Sequence, residues 1–246
     1  MTTADPTAAP RIGAPPLHII SGLPFEVRGI RRALPPKTYR TSFSGADNER
    51  ARLLAEAAAD AGPSGLVSFG LAGGLDPALP PGSLILPVQV IDTDGTTFEV
   101  SPLWRATLET AARHTGLPIV SGTIATASKI LATPEDKARA FAANKACAVD
   151  MESGAVARAA QAHDVPFAVL RAVGDPAMRT IPEVAQRAVG PDGRIQVVSL
   201  LQGLVAEPAA IGGLIDLGRE TRQATRALRR AARELLPALL RLFGAL

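Results

Sequence analysis

A chain of 246 residues is long enough to bury a substantial core, and with 47% apolar residues but only 4% aromatic ones that core must be aliphatic. One cysteine, Cys147, excludes an internal disulfide and a cysteine-based metal site, and no run reaches the ~20 apolar residues of a membrane span. The net charge of +3 is uneven: residues 219–246 carry seven arginines against Glu220 and Glu234, a net +5, which leaves −2 on the rest and gives no reason to expect a nucleic-acid binder.

Residues 1–16, rich in Pro, Ala and Thr without an apolar stretch, read as a flexible leader rather than a signal peptide, and 17–246 as one domain. Short apolar runs then alternate with alanine-rich amphipathic stretches, as in a sheet covered on both faces. Strands are expected at Leu17–Ser21, Gly65–Phe69, Ser83–Val90, Ile119–Ala125, Ala146–Val149 and Phe167–Val173. Helices are expected at Phe25–Ala33, Asn48–Ala61, Pro102–Thr115, Pro134–Asn144 and Glu152–His163, with a long one near the C-terminus. Thr133-Pro134-Glu135-Asp136 is a strong helix start: an N-cap hydroxyl, proline at the first helical position and acids in the first turn.

Ligands of open α/β sheets bind beyond the carboxyl ends of the strands. Four expected strands are followed there by informative residues: Gly22-Leu23-Pro24-Phe25-Glu26, Gly70-Leu71-Ala72-Gly73-Gly74-Leu75-Asp76, Asp150-Met151-Glu152-Ser153, and Arg171 with Gly174-Asp175. The glycine segment lacks the Lys-Ser/Thr of a P-loop, and Ala72 breaks the dinucleotide fingerprint. It reads as a tight turn whose backbone can approach a ligand. Asp150 and Glu152 could simply complement a helix N-terminus, and Asp175 before Pro176 could be a turn residue. Arg171 inside Phe-Ala-Val-Leu-Arg-Ala-Val is harder to dismiss, because a buried guanidinium needs acidic partners. Together these acids and this arginine look like a site. His18, His114 and His163 are scattered without ligand spacing, which argues against metal catalysis.

The segment Ser68–Pro77 with Gly82-Ser83-Leu84-Ile85, and the pair Val149-Asp150-Met151-Glu152-Ser153 and Arg171-Ala172-Val173-Gly174-Asp175, resemble purine nucleoside phosphorylases and methylthioadenosine/adenosylhomocysteine nucleosidases. Thr126–Ser153, the short Gly174-Asp175-Pro176 turn and the tail Leu214–Arg222 look most like their hopanoid-associated branch, assigned to removing adenine from adenosylhopane. The resemblance implies a three-layer α/β/α fold with a mixed, twisted sheet, a homodimer, and cytoplasmic cleavage of a purine N-glycosidic bond without metal or organic cofactor. It also implies roles. Asp175 would protonate or hydrogen-bond N7 of the departing purine, Glu152 would hold the ribose hydroxyls, and Met151 would pack on the ribose. Arg171 would orient the acids, and the backbone at Ala72-Gly73 would line the pocket. Gly174 departs from the family pattern, which has a serine beside the aspartate, so Asp175 would be held less firmly unless another group compensates.

Glu26 bears on the nucleophile. At the matching loop position, phosphate-using relatives place an arginine and nucleosidases a glutamate that activates water. A carboxylate repels phosphate and accepts a proton from water. Leu71, where relatives carry a hydroxyl, points the same way, whereas the branch's usual description as phosphorylases keeps inorganic phosphate open as a co-substrate. Arg28, two residues on, should face solvent.

In the tail, Arg219, Arg222, Arg226, Arg229, Arg230 and Arg233 share one side of a helix, opposite Leu214, Leu217, Leu228 and Leu235. Pro237 is expected to interrupt it, leaving the apolar Ala238–Phe243 beyond. A last helix packed on the sheet is the plain reading, and peripheral contact with an anionic membrane the sharper one. Two other classes of function stand beside the hopanoid reading: a general adenosine or methylthioadenosine nucleosidase, and a binding protein that kept the fold without catalysis.

Overall fold

The computed structural model describes residues 14–187, 190, 196 and 210–244; most of the expected leader lies outside them. Among the described residues nine strands form one mixed sheet, with helices on both faces, a three-layer α/β/α arrangement. The strands are β1 (Leu17–Ser21), β2 (Tyr39–Phe43), β3 (Gly65–Gly74), β4 (Leu84–Ile85), β5 (Gln89–Ile91), β6 (Thr97–Glu99), β7 (Thr123–Thr126), β8 (Ala148–Asp150) and β9 (Phe167–Asp175). The helices are α1 (Ile30–Ala33), α2 (Asn48–Asp60), α3 (Pro102–Thr115), α4 (Pro134–Asn144), α5 (Ser153–Ala162), α6 (Glu183–Arg187) and α7 (Ala210–Leu242). A 3-10 turn, Glu26–Gly29, precedes α1.

β3 is the axis of the sheet. It pairs in parallel with β1 on one side and with β9 on the other, Leu66 facing Phe167 and Gly70 facing Arg171, with a register shift between Ala72 and Gly73. The glycine segment read as a turn is therefore largely strand: Gly70–Gly74 continues β3 because β9 offers it a full ladder. Neighbouring strands override the low intrinsic strand preference of glycine. The expected strand Ser83–Val90 is broken into β4 and β5 around Pro87, which has no N–H to give a ladder. Of Ile119–Ala125 only the end is strand, Val120 making an isolated bridge to Ile85. The expected helix at Phe25–Ala33 is a 3-10 turn followed by one helical turn.

Caps set two helices where the sequence placed them. Asp47 accepts from the Arg50 N–H at 2.8 Å to start α2, and Thr133 accepts from the Asp136 N–H at 3.2 Å to start α4. α2 and α5 pack together on one face, while α1, α3 and α7 cover the other. Pro237 does not interrupt the last helix, which runs on to Leu242. The lost backbone hydrogen bond is tolerated because Leu235, Leu236, Leu239 and Leu240, on both sides of the proline, are buried in the core. Phe243 meets Trp104 edge-on at 5.5 Å. The apolar end of the tail is thus part of the core. The arginines at 219, 222, 226, 229, 230 and 233 are exposed along the opposite face. No described helix is long and apolar enough to cross a membrane.

Candidate active site

A cleft opens at the ends of β1, β3, β7, β8 and β9, with about 200 Å³ of open volume. Glu26, Ala72, Gly73, Met151, Glu152 and Asp175 all line it, together with Asp150 and an apolar wall that includes Ile130, Leu131 and Ile181. Six of the eight singled-out residues thus meet in one place although they span 150 positions of sequence. Arg171 and Gly174 are the two that do not line it. Arg171 lies fully buried just behind the cleft. Gly174 lies behind Leu71: a side chain there would meet Leu71, itself a lining residue, at 3.5 Å.

Arg171 is the hub. Its Nε lies 2.8 Å from Asp150 Oδ2, an ion pair without an aligned hydrogen bond, and Nη2 lies 3.1 Å from Glu152 Oε2. Nη2 also donates to Ser68 Oγ at 2.6 Å and Nη1 to the Leu71 carbonyl at 3.2 Å. Burial opposes its charge, but Asp150, Glu152 and Glu26 outweigh that and hold the guanidinium protonated. Asp150 also anchors the start of α5, where it accepts the Ser153 N–H at 3.1 Å and the Ser153 hydroxyl. It is therefore both a partner of the buried arginine and a helix-start residue.

Glu26 is almost fully enclosed, with its Oε1 accepting the Leu71 N–H at 3.0 Å and its Oε2 the Leu23 N–H at 2.9 Å and the Ser21 hydroxyl. Burial raises its pKa, against the pull of Arg171. Glu152 accepts from Ser44 Oγ at 2.8 Å. Burial pushes its pKa up to about 7, Arg171 opposing and Asp150 and Glu26 adding to the rise. One guanidinium among three carboxyls offsets only part of their charge, and burial raises Glu26 and Glu152 above the usual carboxylate range. The site can both take up a proton and hold negative charge. Arg28, outside this cluster, is exposed.

The geometry also explains one glycine. A Cβ on Gly70 would lie 2.6 Å from Glu26 Oε2 and 2.7 Å from Arg171 Nη1. We expect Gly70→Ala to destabilise the protein by ~1–3 kcal/mol, since both neighbours are locked in the network. A melting temperature equal to the parent's would show that the network can move aside.

Asp175, at the end of β9, lines the cleft beside Gly73. Lys137 of α4, completely buried, donates to its Oδ2 at 2.6 Å. Burial pushes the Asp175 pKa up to about 6, with Lys137 opposing and Glu220 adding. Sequence reasoning missed Lys137, Ser44 and Ser21. The lysine left one faint signal: Ala140 and Phe141, at i+3 and i+4, place it on the apolar side of its helix.

A mixed sheet sandwiched by helices, with acids from three strand ends lining a cleft in front of a buried arginine, defines an α/β/α protein with a carboxylate-lined ligand cleft. The chain belongs to the phosphorylase superfamily, whose family model matches residues 41–206. It is 31% identical over 133 residues to 5'-methylthioadenosine/S-adenosylhomocysteine nucleosidase of Geobacillus kaustophilus, a match covering 46% of this chain and 56% of that protein. It thus spans just over half the length of that curated relative. Its fold is similar to the nucleosidase of the same description from Helicobacter pylori, with a TM-score of 0.64 at 19% identity over 79% of this chain and 99% of that one. The corresponding nucleosidase from Neisseria meningitidis aligns with a TM-score of 0.63 at 18% identity, covering 88% and 97%. Futalosine hydrolase of Helicobacter pylori gives 0.63 at 19% identity, covering 79% and 98%.

Proposed function

We propose that this protein hydrolyses the N-glycosidic bond of a purine ribonucleoside and releases adenine, as a cytoplasmic homodimer needing neither metal nor organic cofactor. One observation carries the reading: a buried carboxylate, Glu26, and a second carboxyl, Asp175, line the same cleft from different elements, the first beside Gly70 and the second beside Gly73 of β3. The two proton transfers of the cleavage are then kept apart. As the bond from C1' to N9 breaks, its electron pair moves into the purine and Asp175 gives its proton to N7. Water bonds to C1', and its proton passes to Glu26, while Glu152 binds the ribose hydroxyls and offsets the positive charge growing on the sugar. Arg171, touching Asp150 and Glu152, keeps the acids in place. Met151 packs on the ribose and the Ala72-Gly73 backbone lines the pocket, while Gly174, expected in a short turn, is instead the penultimate residue of β9.

For the nucleoside, a methylthioadenosine-type substrate is the favoured reading, supported by the descriptions of the relatives above. The apolar wall of Ile130, Leu131 and Ile181, with Met178 highly exposed nearby in sequence, supports a 5' substituent that is itself apolar. That keeps adenosylhopane as a second, lipid-bearing candidate. Any contact with an anionic membrane would rest on the arginine face of α7, since Leu239 and Leu240 are already buried.

The test is adenine release from methylthioadenosine, adenosine and adenosylhopane, each with and without inorganic phosphate. Phosphate-independent release from the thionucleoside is expected. Strict phosphate dependence would replace water as the nucleophile, and no release from any of the three would move a non-catalytic binding role to the front.

The carboxyl groups also set an expected pH profile. Asp175 must be protonated, so its contribution falls as pH rises through about 6. Glu152 must be charged, so its contribution grows as pH rises through about 7. The expected kcat/KM is a bell centred between these values, with roughly one twentieth of the enzyme in the working protonation state at the maximum. A profile flat from pH 5 to 8 would contradict these two roles.

A further inference from the structure

We propose that Lys137 is the positioning residue of the acid that meets the leaving base, its ammonium group holding one oxygen of Asp175 and leaving the other for the purine. This rests on reading Asp175 as that acid. Lys137 is wholly buried on α4, an element that otherwise contributes nothing to the carboxylate cluster. Its three N–H donors have three acceptors: Asp175 Oδ2 at 2.6 Å, the Pro176 carbonyl at 2.9 Å and the Arg179 carbonyl at 3.0 Å. Asp175 Oδ1 has no side-chain partner among the described residues. An ammonium is costly to bury, and this one is fully satisfied on a single carboxylate and two carbonyls.

Two features set this apart from a simple tie between α4 and the segment after β9. First, the carbonyl contacts alone would be served as well by a neutral donor, whereas the charge is spent on Asp175. Second, Gly174 carries no hydroxyl beside the acid, so the orienting group comes from another element of the fold. The other charged groups near Asp175 are accounted for. Glu220 of α7 is held by Arg179 with contacts of 3.0 Å from Nε, Asp216 lies 3.5 Å from Arg179, and Lys129 stands exposed at the mouth of the cleft. When Asp175 passes its proton to N7 it becomes a carboxylate. Lys137 keeps its own proton and stabilises that new charge where it forms. It makes Asp175 a stronger acid than burial alone would.

The test uses the full chain and the variants Lys137→Met and Lys137→Arg. Lys137→Met is expected to lower kcat at least ~10-fold with little change in KM, and to move the alkaline limb of the pH profile upward, since an acid deprived of its cation holds its proton longer. Lys137→Arg should restore the limb. Added to Asp175→Asn, the methionine change should cost little more. A parent-like kcat and limb in Lys137→Met, or losses that multiply in the double variant, would overturn the proposal. A measurement on the unaltered protein covers the case in which Lys137→Met does not fold. The 15N signal of the Lys137 ammonium should shift with the same midpoint as the 13C signal of the Asp175 carboxyl, and an ammonium signal indifferent to that titration would refute the pairing. This readout needs no turnover, so the pairing can stand or fall separately from adenine release.

Discussion

Replacing Arg171 by methionine is expected to cost ~3–5 kcal/mol of stability at neutral pH, because it leaves carboxylates buried without their cation. Glu26, Asp150 and Glu152 are all buried and all lie around that guanidinium. A loss of this size is a large part of the total stability of an ordinary domain. It should also invert with pH. Burial already raises Glu26 and Glu152 while Arg171 opposes the rise, so without Arg171 these two hold their protons more tightly in the folded state than in the unfolded chain. Stability linked to them is then present at low pH and lost as pH rises through their elevated folded values. The variant should therefore melt closer to the parent near pH 5 than near pH 8. Lysine is not an adequate substitute, since Arg171 engages Asp150, Glu152, Ser68 and the Leu71 carbonyl through three nitrogens. Thermal unfolding between pH 5 and 8 decides it, and a parent-like melting temperature at pH 8 would mean that the carboxyls find water or another cation.

That cluster is readable in part from the order of residues. Apolar runs locate the strand ends, and an arginine inside an apolar run asks for acids nearby, which Asp150 and Glu152 supply. Other parts cannot be read, for physical reasons. β2, Tyr39–Phe43, escapes because it is half-exposed and pairs only with β1, so it has no apolar run to show. β6 hides in the same way: only Phe98 of its three residues is buried. The glycines after Phe69 argue for a turn, and nothing local reveals that β9 runs beside them. Lys137 is least visible of all. A lysine among charged neighbours at a helix start is ordinarily solvated, and only the packing of α4 against the end of β9 buries it on Asp175. Pairings between residues far apart in sequence carry no signature of their own in one chain.

Asp175→Ala and Glu152→Gln are each expected to lower the turnover of adenine release at least ~100-fold, the range for losing an acid or an electrostatic group at a reacting centre. The two should differ in what rescues them. Asp175 acts on the leaving base, so its loss should matter less for a nucleoside whose purine is methylated at N7 and already carries the positive charge that protonation would supply. Glu152 acts on the sugar, so its loss should be the same for both substrates. Glutamine retains the side-chain length and can still bond Ser44, which lies 2.8 Å from Glu152 Oε1, but it offers no negative charge to the sugar. Glu152→Gln also relieves the crowding of carboxyls around Arg171, so it should fold at least as well as the parent, and its lower rate cannot then be ascribed to unfolding. The comparison needs kcat for adenosine and 7-methyladenosine in the parent and both variants, with melting temperatures alongside. A 100-fold loss confined to adenosine in Asp175→Ala, against equal losses in Glu152→Gln, would divide the chemistry between base and sugar. Near-parent rates in either variant would remove that residue from the reaction.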